Sequence, residues 1–357
     1  MNHNFIKFSI FIIGLSLFSS CQKESVNTNL TTQQLVYPKI KNGRLQFEDL
    51  EHFKNYMAAI NEMPIEEVED MNKNHGFKSL YASGKGAAEP ILPLRTRGGF
   101  VADSYIPDDQ FAAVLNESHQ LQVSTSIYEA NNSYSYMVLE GSEDNILDFE
   151  TALSMGVVKP EDIPSDGQYY YENLYVYPTN LTLDIAEAQL VGNPDGLATR
   201  GLTPERKIVY SYFDNDWRLH AEAWKVNYLI YASIGVESKC NKVANFFSLW
   251  NYYVNKKINN LSLAYDGVQT KELSTQTCTS CPKQILVSTQ PVSYSQSLPN
   301  VSSITNRLDW STATIPFSNA KFGIASLKIT GMKLTSRHSG NKDGRVRNIT
   351  MDIEIKP

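Results

Sequence analysis

Cysteine and histidine are the side chains here best suited to chemistry, and their spacing limits what that chemistry is. Cys278 and Cys281 form a C-x-x-C followed by Pro282. Two thiols at that spacing suit a redox pair, half of a zinc site, or a disulfide. The flanks TQT and PKQ supply neither a tryptophan before the pair nor a strand-to-helix switch after it, the usual setting of a redox motif. One pair plus a distant Cys240 falls short of the four ligands of a structural zinc. A structural disulfide is therefore the expected state, with metal, redox work and free thiols as alternatives. The favoured staple joins Cys240 to Cys278 or Cys281. It closes a loop of about 40 residues, worth about 4 kcal/mol in the chain-entropy account. No catalytic role is expected for these thiols.

His52, His75, His119, His220 and His338 never fall within three to five residues of one another, so the H-E-x-x-H of zinc proteases is absent. Each reads as a polar surface or edge residue, and no metal or cofactor is expected. There is no G-x-S-x-G nucleophile elbow. Ser83-Gly84-Lys85-Gly86 lacks the spacing of a phosphate loop. Asp214 and Asp216 alternate as calcium ligands do, but Trp217, Arg218 and Leu219 do not continue a calcium loop, so a turn is expected. Among 38 acidic residues nothing singles out a glycosidase pair.

Aromatic density peaks twice, at Tyr169–Tyr177 and at Phe246–Tyr253. Read as one strand, the second stretch puts Phe246, Ser248, Trp250 and Tyr252 on one face and Phe247, Leu249, Asn251 and Tyr253 on the other. Sheet packing is the ordinary role of such residues. Tyr169, Tyr171, Trp250 and Tyr252 are the candidates for stacking against a sugar or peptide ligand.

The amino terminus carries an address. Lys7 precedes an apolar run, Phe8 to Phe18, that is too short to span a bilayer, and Ser19-Ser20 lead into Cys21. A charged start, an apolar core and small residues at the cut make residues 1–20 a secretory signal peptide. The cysteine after the small pair resembles a bacterial lipobox, which makes Cys21 the expected lipidation site. The membrane is then a partner through that lipid, since two or more acyl chains hold a protein stably.

A mature chain starting at Cys21 keeps 337 of the 357 residues, enough for two domains. It is 42% hydrophobic and 20% charged, so it can build substantial cores. The net charge of −6 comes without a run of basic residues, which argues against nucleic acid as a partner.

Residues 21–38 are polar and aperiodic and read as a tether. Residues 39–160 read as an α+β region. Asp49 is a plausible cap for a helix with Phe53, Tyr56, Met57 and Ile60 on one face. Pro64, Glu66 and Glu67 open a second helix that Gly76 ends. Pro107 to Asp109 open a short third helix, two strands follow near 121–129 and 134–140, and a further helix runs from about Ser142 to Leu153. Residues 161–357 read as predominantly antiparallel β. The expected strands are 168–177, 181–190, 206–213, 217–234, 243–254, 257–265, 283–289, 323–335 and 345–355. Turns are expected at Asp195-Gly196, Asp214 to Asp216, Asp266-Gly267 and Asn341 to Gly344. The expected fold is α+β, with a β-sandwich or partly closed barrel as the larger part.

Three segments together resemble a family of Bacteroidetes lipoproteins of unknown function, the DUF4848 group. They are NGRLQFEDLEHFKNYM, PDDQFAAVLNESHQLQVSTSIYE and WRLHAEAWKVNYLIYASIGVESK, and they spread over residues 42 to 238. The resemblance implies an outer-membrane location and supplies no active-site residue. The expected function is a lipid-anchored cell-envelope binding or adhesion protein, non-enzymatic, whose partner is a glycan, a protein or another envelope component. The alternative is an envelope hydrolase acting on glycan or peptide, its acidic site assembled only by the fold.

Overall fold

Short capped helices and tight hairpins build the first part of the chain. The computed structural model describes residues 35–83, 106–131, 134–163, 169–178, 188–189, 197–203, 206–246, 250–275, 284–312 and 329–355. β1 (Lys39–Lys41) and β2 (Arg44–Phe47) meet at Asn42-Gly43, where both residues have positive φ, as a two-residue hairpin turn requires. In α1 (Leu50–Asn61) the Asp49 carboxylate accepts the His52 N–H at 2.7 Å, and Phe53, Tyr56, Met57 and Ile60 are buried as their spacing dictates. The Phe53 and Tyr56 rings sit edge-on to Phe47, at 5.1 and 5.4 Å. α2 (Ile65–Asn74) carries Glu66 and Glu67 at its positive end and stops before Gly76, at φ +76°. α3 (Asp109–Val114) is capped by Asp108.

β3 (Gln120–Val123), β4 (Ser126–Ala130) and β5 (Tyr134–Leu139) form an antiparallel meander, and β2 joins it in parallel to β3. α4 (Asp144–Ser154) follows and ends before Gly156, at φ +71°. The stretch expected as one strand over 168–177 is instead a hairpin of β6 (Tyr169–Tyr171) and β7 (Leu174–Pro178). Its turn, Glu172-Asn173, has positive φ at both residues, an unusual conformation for glutamate that composition does not announce. β7 pairs with β5, so this seven-stranded sheet runs beyond the boundary expected at residue 160. Phe149 of α4 packs on it with Ile127, Tyr136, Val138, Leu174 and Val176.

Among the described residues the remaining strands form a sandwich of two sheets, with no closed barrel. They are β8 (Ala188–Gln189), β9 (Leu197–Thr203), β10 (Arg206–Tyr212), β11 (Trp217–Asn227), β12 (Tyr231–Phe246), β13 (Trp250–Asn255), β14 (Ile258–Thr275), β15 (Gln284–Val301), β16 (Ser303–Thr312), β17 (Ile329–Lys342) and β18 (Arg345–Ile355). One sheet runs β9-β10-β11-β12, and the far edge of β12 is shared between β16 and β13. The other runs β15-β14-β17-β18-β8. Leu219, Ala221, Ala223, Ile234 and Val236 face Leu261, Leu263, Leu334, Met351 and Ile353 across the interior. Burying a large aliphatic side chain is worth about 1.5–3 kcal/mol each, which makes this layer the main source of stability.

Three strand expectations are corrected by turns and registers. The stretch 217–234 breaks at Tyr228 to Ile230, where Leu229 has φ +66° and its N–H is accepted by Asn227 Oδ1. The stretch 243–254 is a β12–β13 hairpin, with Phe246 paired opposite Trp250 rather than sharing a strand with it. Asp266-Gly267 is no turn, because β14 continues straight through it. A Cβ on Gly267 would lie 2.2 Å from the Lys333 carbonyl oxygen of β17, so this glycine serves close approach of two backbones. The expected turn at Asn341 to Gly344 is present, with Asp343 and Gly344 at φ +53° and +81° joining β17 to β18. Asp195-Gly196 lies outside the described residues. Residues Pro38–Pro357 group as one compact unit.

Candidate functional site

Alternation along β11 and β12 gives their sheet two unlike faces. Odd positions of β11 and even positions of β12 enter the sandwich. On the other face stand Arg218, His220, Glu222 and Trp224 of β11, with Tyr231, Ser233, Glu237, Lys239 and Asn241 of β12, all but the rim of this face being buried. Helix α3 lies against it. The Arg307 guanidinium from β16 grips Asp108 with two hydrogen bonds, Nε to Oδ2 at 2.8 Å and Nη2 to Oδ1 at 2.6 Å. It also donates to Gln110, and Tyr231 Oη donates to Asp108 Oδ2 at 2.8 Å. Phe111 stacks on Tyr228 and Tyr231 with centroids 5.2 and 4.6 Å apart. Lys239 Nζ sits between Glu237 Oε2 at 2.6 Å and Asp109 Oδ1 at 3.3 Å, and Thr305 donates to Glu237 Oε1.

Electrostatics follow from that packing. Burial alone would push the Asp108 carboxyl up, but the Arg307 charge and the hydrogen bonds from Arg307, Tyr231 and the Phe111 N–H hold it below the usual range. Glu237 is held well above that range by burial and by the nearby Asp109 charge, with Lys239 only partly offsetting them. Two carboxylates, Glu237 and Asp109, share the one lysine, so each raises the cost of charging the other. Every carboxylate named here is engaged by a cation or hydroxyl. The cluster joins α3 to the sheet.

Further along the same face, Arg218 lies between the rings of Tyr210 and Tyr253, 3.7 and 3.5 Å from their centroids. His220 meets Glu222 Oε2 at 3.0 Å and Asn241 Oδ1 at 3.2 Å. Inside the sandwich, His338 meets Ser238 Oγ at 2.8 Å and Ser336 Oγ at 3.0 Å. Burial, with a smaller contribution from His220, lowers the His338 pKa to about 3. His119, His220 and His338 are thus interior residues, against the expectation of surface positions, because each finds polar partners where the strands place it. The Ser238–His338 contact is buried between the sheets.

Cys240, the expected partner of the C-x-x-C, is a free thiol facing the sandwich core, where burial pushes its pKa up to about 12. Its strand position points it at apolar neighbours. Cys278, Cys281 and Cys21 lie outside the described residues. Tyr169 and Tyr171 flank Phe149 of α4, at 6.2 and 5.5 Å, and therefore serve packing. Trp250 and Tyr252 lie on β13, and their side chains fall outside the described set. Asp214 accepts the backbone N–H groups of Asp216 and Trp217 at 3.0 and 2.9 Å, which makes the Asp214–Asp216 segment the expected turn. Among the described residues no group of three or more His, Cys, Asp or Glu is placed to hold a metal ion.

Two shallow grooves mark the surface. One, of about 430 Å³, lies beside the end of α2 and is lined by Glu69, Asp70, Lys73, Phe77 and Lys78. Burial raises Glu69 there, although Ser79 and Asn72 donate to it. The other, of about 500 Å³, lies at one end of the sandwich, where Trp217 meets Lys257, Asn259, Asn300, Lys342 and Asp343. Lys342 Nζ lies 4.8 Å and Lys242 Nζ 5.4 Å from the Trp217 ring centroid. Lys342 is also anchored by Asp343 at 3.0 Å and Asp214 at 3.6 Å. An indole edged by amines and amide side chains suits a polar ligand bearing a carboxylate. Sequence alone showed the turns beside Trp217 and Lys342, but the convergence of separate chain segments left no local signal.

Comparisons with known proteins add little to this site. No family model matches the chain, and no curated protein matches it. A solved DUF4848 family protein from Bacteroides thetaiotaomicron is a structural neighbour. It is 8% identical, with a TM-score of 0.21, and the match covers 88% of this chain and 99% of that one. At that TM-score the likeness carries no argument about fold or function.

Proposed function

We propose that this chain is a lipid-anchored binding or adhesion protein of the bacterial outer membrane, of the DUF4848 kind, and that it is not an enzyme. In this reading Cys21 carries the lipid, residues 22–38 form the tether, and the sandwich presents its contact surface to an envelope glycan or protein. The observation that supports the reading is the groove at Trp217. It offers an aromatic surface, amide side chains and amines at an open end of a rigid sandwich, the mixture that holds a polyhydroxylated or acidic ligand by stacking and hydrogen bonds. The buried carboxylates, by contrast, are committed to joining α3 to its sheet.

The test uses the full chain with Cys21→Ser, titrated calorimetrically with uronate-containing and neutral oligosaccharides. Binding of the acidic set, weakened about tenfold by Lys257→Ala or Trp217→Ala, is the expected result. Turnover of a glycan or peptide substrate, or binding that ignores both substitutions, overturns the reading. Mass spectrometry of the membrane fraction checks the anchor, which is expected as an acylated N-terminal Cys21.

A further inference from the structure

Among the described residues strand β15 is the outer strand of its sheet, and its 18 residues include no charged side chain. Natural edge strands of this length are usually guarded by lysines, bulges or an inward-pointing charge. Here the ladder to β14 runs without a register shift from Thr275↔Gln284 to Ile258↔Val301. Leu286 and Val287 on this strand are 64% and 58% exposed, and Ser293, Ser295 and Ser297 are exposed as well. Among the described residues its guards are Pro291, Pro299 and the left-handed Asn300 near one end, at φ +55°.

Those prolines reveal which way the backbone faces. A proline within a paired strand turns its nitrogen away from its neighbour, since it has no N–H to give. With the β14 ladder continuous from Thr275↔Gln284 to Asn260↔Pro299, and irregular only beyond it at Asn300, the odd-numbered positions of β15 direct their backbone groups to the outer edge. Ser293, Ser295 and Ser297 therefore offer outward donors and acceptors, and Ser295 lies midway between the prolines.

We propose that β15 is a homotypic docking edge, pairing antiparallel with β15 of a second copy about a two-fold axis at Ser295. In that register Ser293 faces Ser297 of the second copy, and Pro291 faces Pro299. The missing donors then fall in two rows, with three fully bonded rows between them. A chain of net charge −6 repels its own copy, and an uncharged strand is where two copies approach with no like charges placed opposite one another. The contact is isologous and closes on itself.

Sedimentation velocity of the full chain with Cys21→Ser should show dimer rising with concentration. Ser295→Lys, which sets two lysines face to face, should weaken it about tenfold or more. Added to the same chain, Ser295→Cys should form a disulfide-linked dimer on mild oxidation, because facing Cα atoms in a bonded pair lie about 5.5 Å apart. Ser293→Cys, whose counterpart stands several residues away, should not. A monomer at every concentration, or equal crosslinking at both positions, overturns the proposal. Circular dichroism confirms that each variant keeps the parent fold.

Discussion

Arg307 and Asp108 stand 199 residues apart in sequence and form a two-bond ion pair that is almost wholly buried, with side-chain exposures of 7% and 0%. It ties the loop before α3 to β16, and so the α+β part of the chain to the outer face of the sandwich.

Breaking that pair should cost more than removing it. Arg307→Met leaves a buried carboxylate without its cation and should destabilise the fold by about 3–5 kcal/mol in urea unfolding at pH 7. Adding Asp108→Asn should recover part of the loss. Asp108 sits below its ordinary pKa, so its contribution is present above the unfolded value and disappears as pH falls through the folded one. The single variant should therefore lose ground to wild type at neutral pH and regain some in strong acid. An additive double mutant would show that the two side chains are not coupled.

Acid should destabilise the sandwich through His338. Its folded pKa of about 3 lies below the ordinary 6.5, so between those values the unfolded chain takes up a proton that the native state refuses. Stability contributed by the neutral ring is complete above about 6.5 and falls by up to about 1.4 kcal/mol per pH unit as pH drops toward 3. His338→Gln should flatten the stability curve between pH 6 and pH 4 by about one proton. Equal slopes for the two proteins would show that His338 titrates normally.

Two glycines should respond oppositely to alanine. At Gly235 a Cβ would meet Trp224 Cζ2 at 2.3 Å and the Asn306 carbonyl oxygen at 2.8 Å, so Gly235→Ala must displace the indole. A loss of about 1–3 kcal/mol is expected, with a change in the near-ultraviolet dichroism of tryptophan. At Gly331 the nearest atom is 3.6 Å away, and Gly331→Ala should leave stability within about 0.5 kcal/mol. Thermal unfolding of the two variants side by side checks both.

Local rules were enough to read much of the frame. The caps at Asp49 and Asp108, the stops at Gly76 and Gly156, and the Asp343-Gly344 hairpin each depend on groups within a few residues, where side-chain chemistry and φ preferences act directly. Where two segments meet, the same chemistry read differently. Asp266-Gly267 has the composition of a turn, but the β17 backbone lies against it and only an extended glycine fits. His119, His220 and His338 looked like surface residues until the fold placed them inside.

Sequence by itself thus determined several caps, stops and turns, and that the larger part would be predominantly antiparallel β, with sandwich and partly closed barrel both open. Tertiary structure decided which charges were neutralised and which residues share a groove. Asp108 finds Arg307, and Trp217 finds Lys257 and Lys342, only after strands far apart in the chain are laid side by side. Periodicity indicates which face a residue occupies, whereas the burial and pairing that set its charge depend on what packs against that face.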